Sequence, residues 1–476
     1  MVDERATIDH RLALEHGVLR AQGRRSIALV YPSPYPIGMA SLGFQTIYRA
    51  LNHLGDTHAE RAFASDADGP VLTYESGRAA SDFPVVAFSV AYETEIVGLV
   101  ATLTRMGVPV LGAERTAKDP FVVVGGPLTF SNPLPLAPFA DVIVMGEAEQ
   151  LLAPLIDVLF AGRDRARQHE SLAAMPGFFV PSVHGEQLPA VVACAAEQLP
   201  AYSAIWTREA ALGAMFLIEP ERGCSRGCTF CVMRRTTCNG MRLVPVDRVL
   251  ARIPVGVPRV GLVGAAVSDH PAIVELIDAI VERGCQVGVS SLRADRLTPA
   301  LVAALVRGGY TTLTTAADGA SQRLRGELDK NIDERHLLHA AELCREAGLK
   351  RLKIYVMVGV PGENDDDLRE LVDCLLKQAL LLGPGGRLAL SVAPFVAKRN
   401  TPLAGTPFVG IREVDRRVAL LRSGAKGRID VRATSSRWAW VEDQLARGGP
   451  PAGLAAFEAW KNGASFAAFR RAFKGM

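Results

Sequence analysis

From residue 259 onward, short apolar runs alternate with stretches whose apolar residues recur at helical spacing. Arg259 to Val263 is a strand by this pattern, and Ile273, Leu276, Ile277 and Ile280 line one face of the helix that follows. The pattern then repeats, with strands at Gln286 to Val289, Thr311 to Thr315, Leu352 to Val358 and Leu388 to Val392, and a helix from about Pro299 to Val306. Phe216 to Glu219 supplies a strand ahead of them. Strands alternating with helices predict right-handed βαβ units and a parallel sheet. The unusual residues all follow the strands, which places them on the face where a full or partial TIM-type barrel carries its chemistry.

The first part of the chain has the same alternation with different punctuation. Ser26 to Val30, Val85 to Val90, Phe121 to Val124 and Val142 to Met145 read as strands separated by helix-like segments, one of them around Phe44 to His53. This predicts an open, doubly wound α/β sheet with ligands beyond its strand ends. After the last barrel strand, the pattern from about Ile411 is helical, and Trp438 and Trp440 fall in it. The expected layout is a Rossmann-like domain and linker over 1–195, a barrel over 196–405 and a small helical cap over 406–476.

Composition narrows the function classes. The chain has 476 residues, of which 49% are hydrophobic and 22% charged, enough for two or three well-cored domains. A formal charge of +3 gives no electrostatic case for nucleic acid or a membrane surface. There is no signal-peptide pattern and no apolar run of membrane length, so a cytoplasmic location is expected. Cys194, Cys285, Cys344 and Cys374 are scattered on apparent helices and strands and read as buried free thiols.

Cys224, Cys228 and Cys231 are different. Their CxxxCxxC spacing, in a loop rich in Gly, Arg and Thr, supplies three thiolates to a four-iron cluster and leaves one iron open to a small molecule. A zinc site is the alternative, with Cys238 as a fourth sulfur.

The strand Phe216-Leu217-Ile218-Glu219 running into Arg222-Gly223-Cys224, with Phe230 before the third cysteine, resembles the radical S-adenosylmethionine (radical SAM) superfamily. The resemblance implies a [4Fe-4S] cluster on Cys224, Cys228 and Cys231, with Phe230 against the adenine of SAM. It implies that Gly264 lets the backbone approach the amino group of SAM, and that Ser291 and Arg293 hold ribose and carboxylate. It also brings the turn containing Gly359 and Gly362 to the adenine. Asp318 stands where relatives more often carry Pro-Glu. Read as residues alone, Gly264 and Gly362 are also ordinary turn glycines, and Arg293 a solvated charge.

Gly125-Gly126-Pro127 and Gly146-Glu147-Ala148-Glu149 resemble the cobalamin-binding domain that precedes the barrel in one branch of the superfamily. That implies cobalamin near Gly38, Gly125, Gly126, Gly146 and Glu147; turn glycines in a sheet that binds nothing are the plainer reading. The first strand-to-helix loop has no histidine to ligate cobalt from below. The nearest motif match, at Asp56-Thr57-His58, lies after the first helix, so His58 reads as a surface residue.

The function implied is cleavage of SAM to methionine and a 5′-deoxyadenosyl radical, followed by cobalamin-dependent methyl transfer to an unactivated centre. The substrate would be a small molecule or peptide, and the electron donor a low-potential protein such as flavodoxin or ferredoxin. Cyclisation or rearrangement is the alternative outcome. Methylthiotransferases carry extra cysteines in the front domain, and here Cys194 alone precedes the triad. A zinc-stabilised, non-enzymatic binding module is the remaining alternative.

Overall fold

A computed structural model describes residues 4–20, 22–65, 69–162, 164–233, 240–290, 292–425 and 427–475. Ser291 and Cys238 lie outside the described residues. The chain divides into two units, Met1–Phe216 with Gln444–Met476, and Leu217–Asp443.

The first unit is built on β1 (Arg25–Tyr31), β2 (Thr57–Phe63), β3 (Val85–Ser89), β4 (Phe121–Gly125), β5 (Val142–Val144) and β6 (Phe178–Phe179), in the order β2-β1-β3-β4-β5-β6. Pairing is parallel from β2 through β5, and β6 joins antiparallel. The apolar runs in β1, β3 and β4 are buried on both faces, as parallel strands between helices require. The helix Leu42–His53 begins where the Ser41 side chain accepts a hydrogen bond from the Phe44 amide at 3.3 Å.

Strand β2 is not legible as an apolar run. Its Arg61 is fully buried, and the guanidinium donates to both Glu15 oxygens at 2.7 Å and to Glu75 at 2.7 Å. A charged residue can occupy the core because two carboxylates neutralise it there. His58 lies on this strand, partly buried, with Nδ1 2.7 Å from the Gly23 carbonyl, rather than on the open surface.

The second unit carries β7 (Met215–Ile218), β10 (Arg259–Leu262) and β11 (Gln286–Val289) in one sheet, and β12 (Thr312–Asp318), β13 (Arg351–Val358), β14 (Arg387–Pro394) and β15 (Ile429–Ala433) in another. A small antiparallel ribbon joins β8 (Glu221–Arg222) to β9 (Arg242–Leu243). A parallel bridge from Leu292 to Thr315, reinforced by the Thr315 hydroxyl donating to the Leu292 carbonyl at 2.6 Å, connects the two larger sheets. The strands from β7 to β15, the ribbon apart, therefore neighbour one another in chain order. That is the order of a singly wound (β/α) barrel rather than a doubly wound sheet.

The segment 406–476 differs from the expected helical cap. It contains β15, which pairs in parallel with β14, and the alternation of buried or half-buried Ile429, Val431 and Ala433 with exposed Asp430 and Arg432 marks a half-exposed strand. Its last helices, Pro450–Lys461 and Phe466–Lys474, belong to the first unit instead. There Asn132 Nδ2 donates to the carbonyls of Leu445, Ala446 and Gly448 at 3.3, 3.0 and 2.7 Å. A Cβ on Gly453 would stand 2.0 Å from the Pro135 carbonyl oxygen, so this helix packs with its backbone against the domain. No helix among the described residues is long and apolar enough to cross a membrane.

Candidate functional site

The cysteine loop leaves β8 through Gly223, whose φ of +92° and 2.1 Å approach of an added Cβ to the Gly240 carbonyl oxygen admit only glycine. Cys224, Cys228 and Cys231 are free and partly exposed, whereas Cys194, Cys285, Cys344 and Cys374 are free and buried, as expected. Phe230 is partly exposed in the turn just before Cys231. The Thr229 amide donates to the Leu328 carbonyl at 3.0 Å, which ties the loop to the chain beyond β12.

The three thiols lie close enough for their charges to interact. Burial pushes the Cys228 thiol up, Lys330 and Arg293 pull it down, and Asp318 and Cys224 push it up again. Burial likewise raises Cys231, with Cys228 and Cys224 adding to it. Among the described residues no three metal-ligating side chains are gathered as a finished metal site. The donor chemistry nonetheless fits an anionic iron-sulfur cluster: three ionisable thiols on one loop, under the influence of nearby cations.

Those cations form a connected frame. Arg226, inside the cysteine loop, donates from Nε to Asp269 at 2.7 Å and approaches Asp295 at 3.7 Å. Arg296 adds a contact to Asp269 at 3.1 Å. Burial tends to raise the Asp269 carboxyl, but the hydrogen bond from Arg226 and the charges of Arg226 and Arg296 outweigh it and hold the group below its ordinary range. Arg293 is buried rather than solvated; it donates to Asp295 at 2.9 and 3.3 Å and to the Lys330 carbonyl at 3.0 Å. Asp318 ends β12 beside a bulge, with φ of +60°, and pairs with Lys330. It also lines a cavity of about 240 Å³ with Ala316, Tyr355, Val356, Met357 and Ala393.

Gly264 follows β10 as expected, but protein fills the space beside it. A Cβ there would lie 2.1 Å from Glu221 Oε1, which accepts from the Ala266 amide at 2.9 Å. Gly359 and Gly362 are left-handed turn residues, with φ of +85° and +74°. The buried Glu363 carboxylate accepts from the Gly359 amide at 2.6 Å and from Arg417, which braces this turn against the helix Ile411–Ala425. Sequence reasoning missed Glu221, Arg226 and Lys330. Arg226 sits within the motif itself, but its partners lie beyond other strands.

In the first unit, Gly125, Gly126 and Gly146 line one apolar cavity of about 60 Å³ between a face of the sheet and the helices Leu42–His53 and Ala148–Phe160, together with Ile27, Ile47 and Leu152, a space the size of a few water molecules. Gly125 faces this space with its nearest neighbour, Val144 Cβ, at 3.6 Å. Gly126 and Gly146 are also constrained by the chain, since a Cβ would meet Val90 O at 2.6 Å or Val192 O at 2.3 Å. Gly38 packs on Phe63 outside that lining, and Glu147 is buried, accepting from the Cys194 amide at 2.7 Å. The structure thus brings together three of the five residues read as a cobalamin site.

Comparison with known proteins agrees with this architecture. The family model described as radical SAM proteins, N-terminal, matches residues 43–181, and that of the radical SAM superfamily matches residues 218–375. The uncharacterized protein MJ0966 of Methanocaldococcus jannaschii is 26% identical over 384 residues, covering 79% of this chain and 78% of that protein. PH0819 of Pyrococcus horikoshii, described as an uncharacterized methyltransferase, is 24% identical over 331 residues, covering 66% of this chain and 68% of that one. Among solved structures, the radical S-adenosylmethionine methyltransferase TsrM of Kitasatospora setae, with cobalamin and a [4Fe-4S] cluster bound, superposes with a TM-score of 0.60. It is 14% identical to this chain, and the match covers 95% of this chain and 99% of that one, so the likeness is one of fold.

Proposed function

The chain belongs to the radical SAM superfamily and is an enzyme; we propose that it holds a [4Fe-4S] cluster on Cys224, Cys228 and Cys231 and uses it, with cobalamin, to methylate an unactivated centre of a small molecule or peptide. When bound, the reduced cluster supplies the electron that splits SAM into methionine and a 5′-deoxyadenosyl radical, and cobalamin supplies a transferable methyl group. The observation that carries this reading is the set of three free, partly exposed thiols on one loop, acted on by Arg293 and Lys330.

The chain's own residues have distinct tasks. Arg226 holds the cysteine loop to Asp269, and Thr229 holds it to Leu328, so the thiols keep their spacing as iron is taken up. Arg293 and Lys330 place positive charge against an anionic centre in a partly desolvated site, where it counts most. Glu363 and Arg417 keep the Gly359–Gly362 turn closed beside the strand end. Cobalamin use is supported by the likeness in fold to TsrM, whose structure has cobalamin bound. Methyl transfer is favoured by the descriptions of TsrM and PH0819 as methyltransferases. A low-potential flavodoxin or ferredoxin fits as electron donor, and the reduced thiols fit a cytoplasmic setting.

Anaerobic purification with iron, sulfide and corrin quantified tests both halves. About four irons per chain with dithionite-dependent 5′-deoxyadenosine are expected. Iron without corrin would leave SAM cleavage standing and remove cobalamin; bound zinc with neither would remove the whole reading.

A further inference from the structure

The segment 319–332, between β12 and the helix Glu334–Glu346, meets the surroundings of the cysteine loop at three points. The Leu328 carbonyl accepts from the Thr229 amide at 3.0 Å, the Lys330 carbonyl accepts from Arg293 at 3.0 Å, and the Lys330 ammonium pairs with Asp318. Asp329 and Asn331, on either side of Lys330, are left-handed although neither is glycine. Such a backbone persists only where its surroundings hold it.

Arg325 supplies that hold. It is 1% exposed, and its guanidinium donates from Nε to the Ile332 carbonyl at 2.8 Å and from Nη1 to the Ala320 and Gly319 carbonyls at 3.1 and 3.4 Å. Gly319 and Ala320 directly follow Asp318, and Ile332 stands two residues beyond Lys330. One planar fork therefore spans both ends of the segment. Nη2 donates to Gln322 Oε1 at 3.2 Å, so each of these acceptors is neutral. A buried cation without a carboxylate is costly, and an apolar side chain of similar volume would serve packing alone at least as well. What it could not do is tie the two ends together. We propose that Arg325 is a positioning residue for the cluster: by fixing the separation of the segment's ends, it keeps Lys330 against Asp318 and the Leu328 carbonyl against the cysteine loop. This rests on the reading above that Cys224, Cys228 and Cys231 carry iron.

The test reads the cluster and the fold separately. Reconstituted wild type, R325M, R325K, K330M and the double variant R325M/K330M are compared by iron loss to a chelator and by the cluster's midpoint potential. Melting of the chelator-treated chains reports the fold. R325M is expected to lose iron several-fold faster than wild type and to shift the potential negative, because a displaced ammonium no longer favours the reduced, more anionic cluster. K330M should do the same, and the double variant should go little further, since both changes undo one arrangement. R325K keeps the charge but reaches only one end of the segment, so it should recover the melting temperature more fully than iron retention. Wild-type potential and retention in R325M, additive effects in the double variant, or full retention in R325K overturns the assignment; if R325M does not fold, R325K decides it. Failure of wild type to take up iron overturns the underlying reading instead.

Discussion

Lys330 Nζ lies 2.5 Å from Asp318 Oδ2, with side-chain exposures of 11% and 16%. Asp318 takes a left-handed φ of +60° at the bulged end of β12. Lys330 sits between Asp329 and Asn331, which are left-handed as well, at +51° and +54°. Two strained segments are thus held together by one ion pair beside the cysteine loop, a setting in which backbone strain commonly serves a site. Lys330 also draws the Cys228 thiol down against the effect of burial.

Replacing Lys330 by Met should therefore reach the cluster. It strands the Asp318 charge and removes a cation acting on Cys228, so iron retention under chelator challenge should drop several-fold. Retention equal to wild type would separate the pair from cluster binding.

Gly264→Ala places a Cβ 2.1 Å from Glu221 Oε1. Glu221 cannot swing aside without giving up the Ala266 amide. Loss of that hydrogen bond with the carboxylate left buried, roughly 1–3 kcal/mol, is the expected result in thermal denaturation. An unaltered melting temperature would show that the carboxylate has room to move.

Burial raises the Glu221 carboxyl from 4.5 to about 7, with Glu219 and Asp269 adding to the rise. The folded chain thus keeps a proton that the unfolded chain releases near 4.5. Stability is fully present at lower pH, declines as pH rises from about 4.5 to about 7, and is flat above that, a change of at most about 3 kcal/mol. In chelator-treated protein, the melting temperature of E221Q should gain on wild type between pH 5 and pH 8. A gap independent of pH would contradict the raised value.

In the first unit, Arg61→Ala leaves Glu15 and Glu75 buried without their guanidinium. Breaking such a pair costs roughly 3–5 kcal/mol, so thermal denaturation should show a large loss. Replacing all three residues by apolar ones of similar volume should recover much of it, and failure to do so would show that the ions contribute more than mutual neutralisation.

Asn132 is fully buried and serves three carbonyls at the end of the helix Ser436–Arg447. Asn132→Ala leaves them without that donor and should cost about 1–3 kcal/mol. Deleting the chain after Arg447 should raise hydrogen exchange in β3 to β5 while leaving β12 to β14 protected. The reverse pattern would return these helices to the barrel.

What could be read directly from the chain was local. The βαβ alternation, the strands at Arg259–Leu262 and Gln286–Val289 and the CxxxCxxC loop are each encoded within a few residues, where periodicity and spacing are decisive. Strands β2 and β15 were not legible: β2 owes its burial to Arg61 meeting Glu15 and Glu75, and β15 to pairing along the edge of β14.

The sequence alone determined that three cysteines share one loop at the end of a strand, because chain connectivity enforces it. Only the tertiary structure decided what surrounds them. Glu221 crosses Gly264, Lys330 reaches Asp318 and Arg226 meets Asp269 because strands and loops distant in the chain are packed side by side. Charges brought together in a partly dry space interact far more strongly than their separation in sequence reveals.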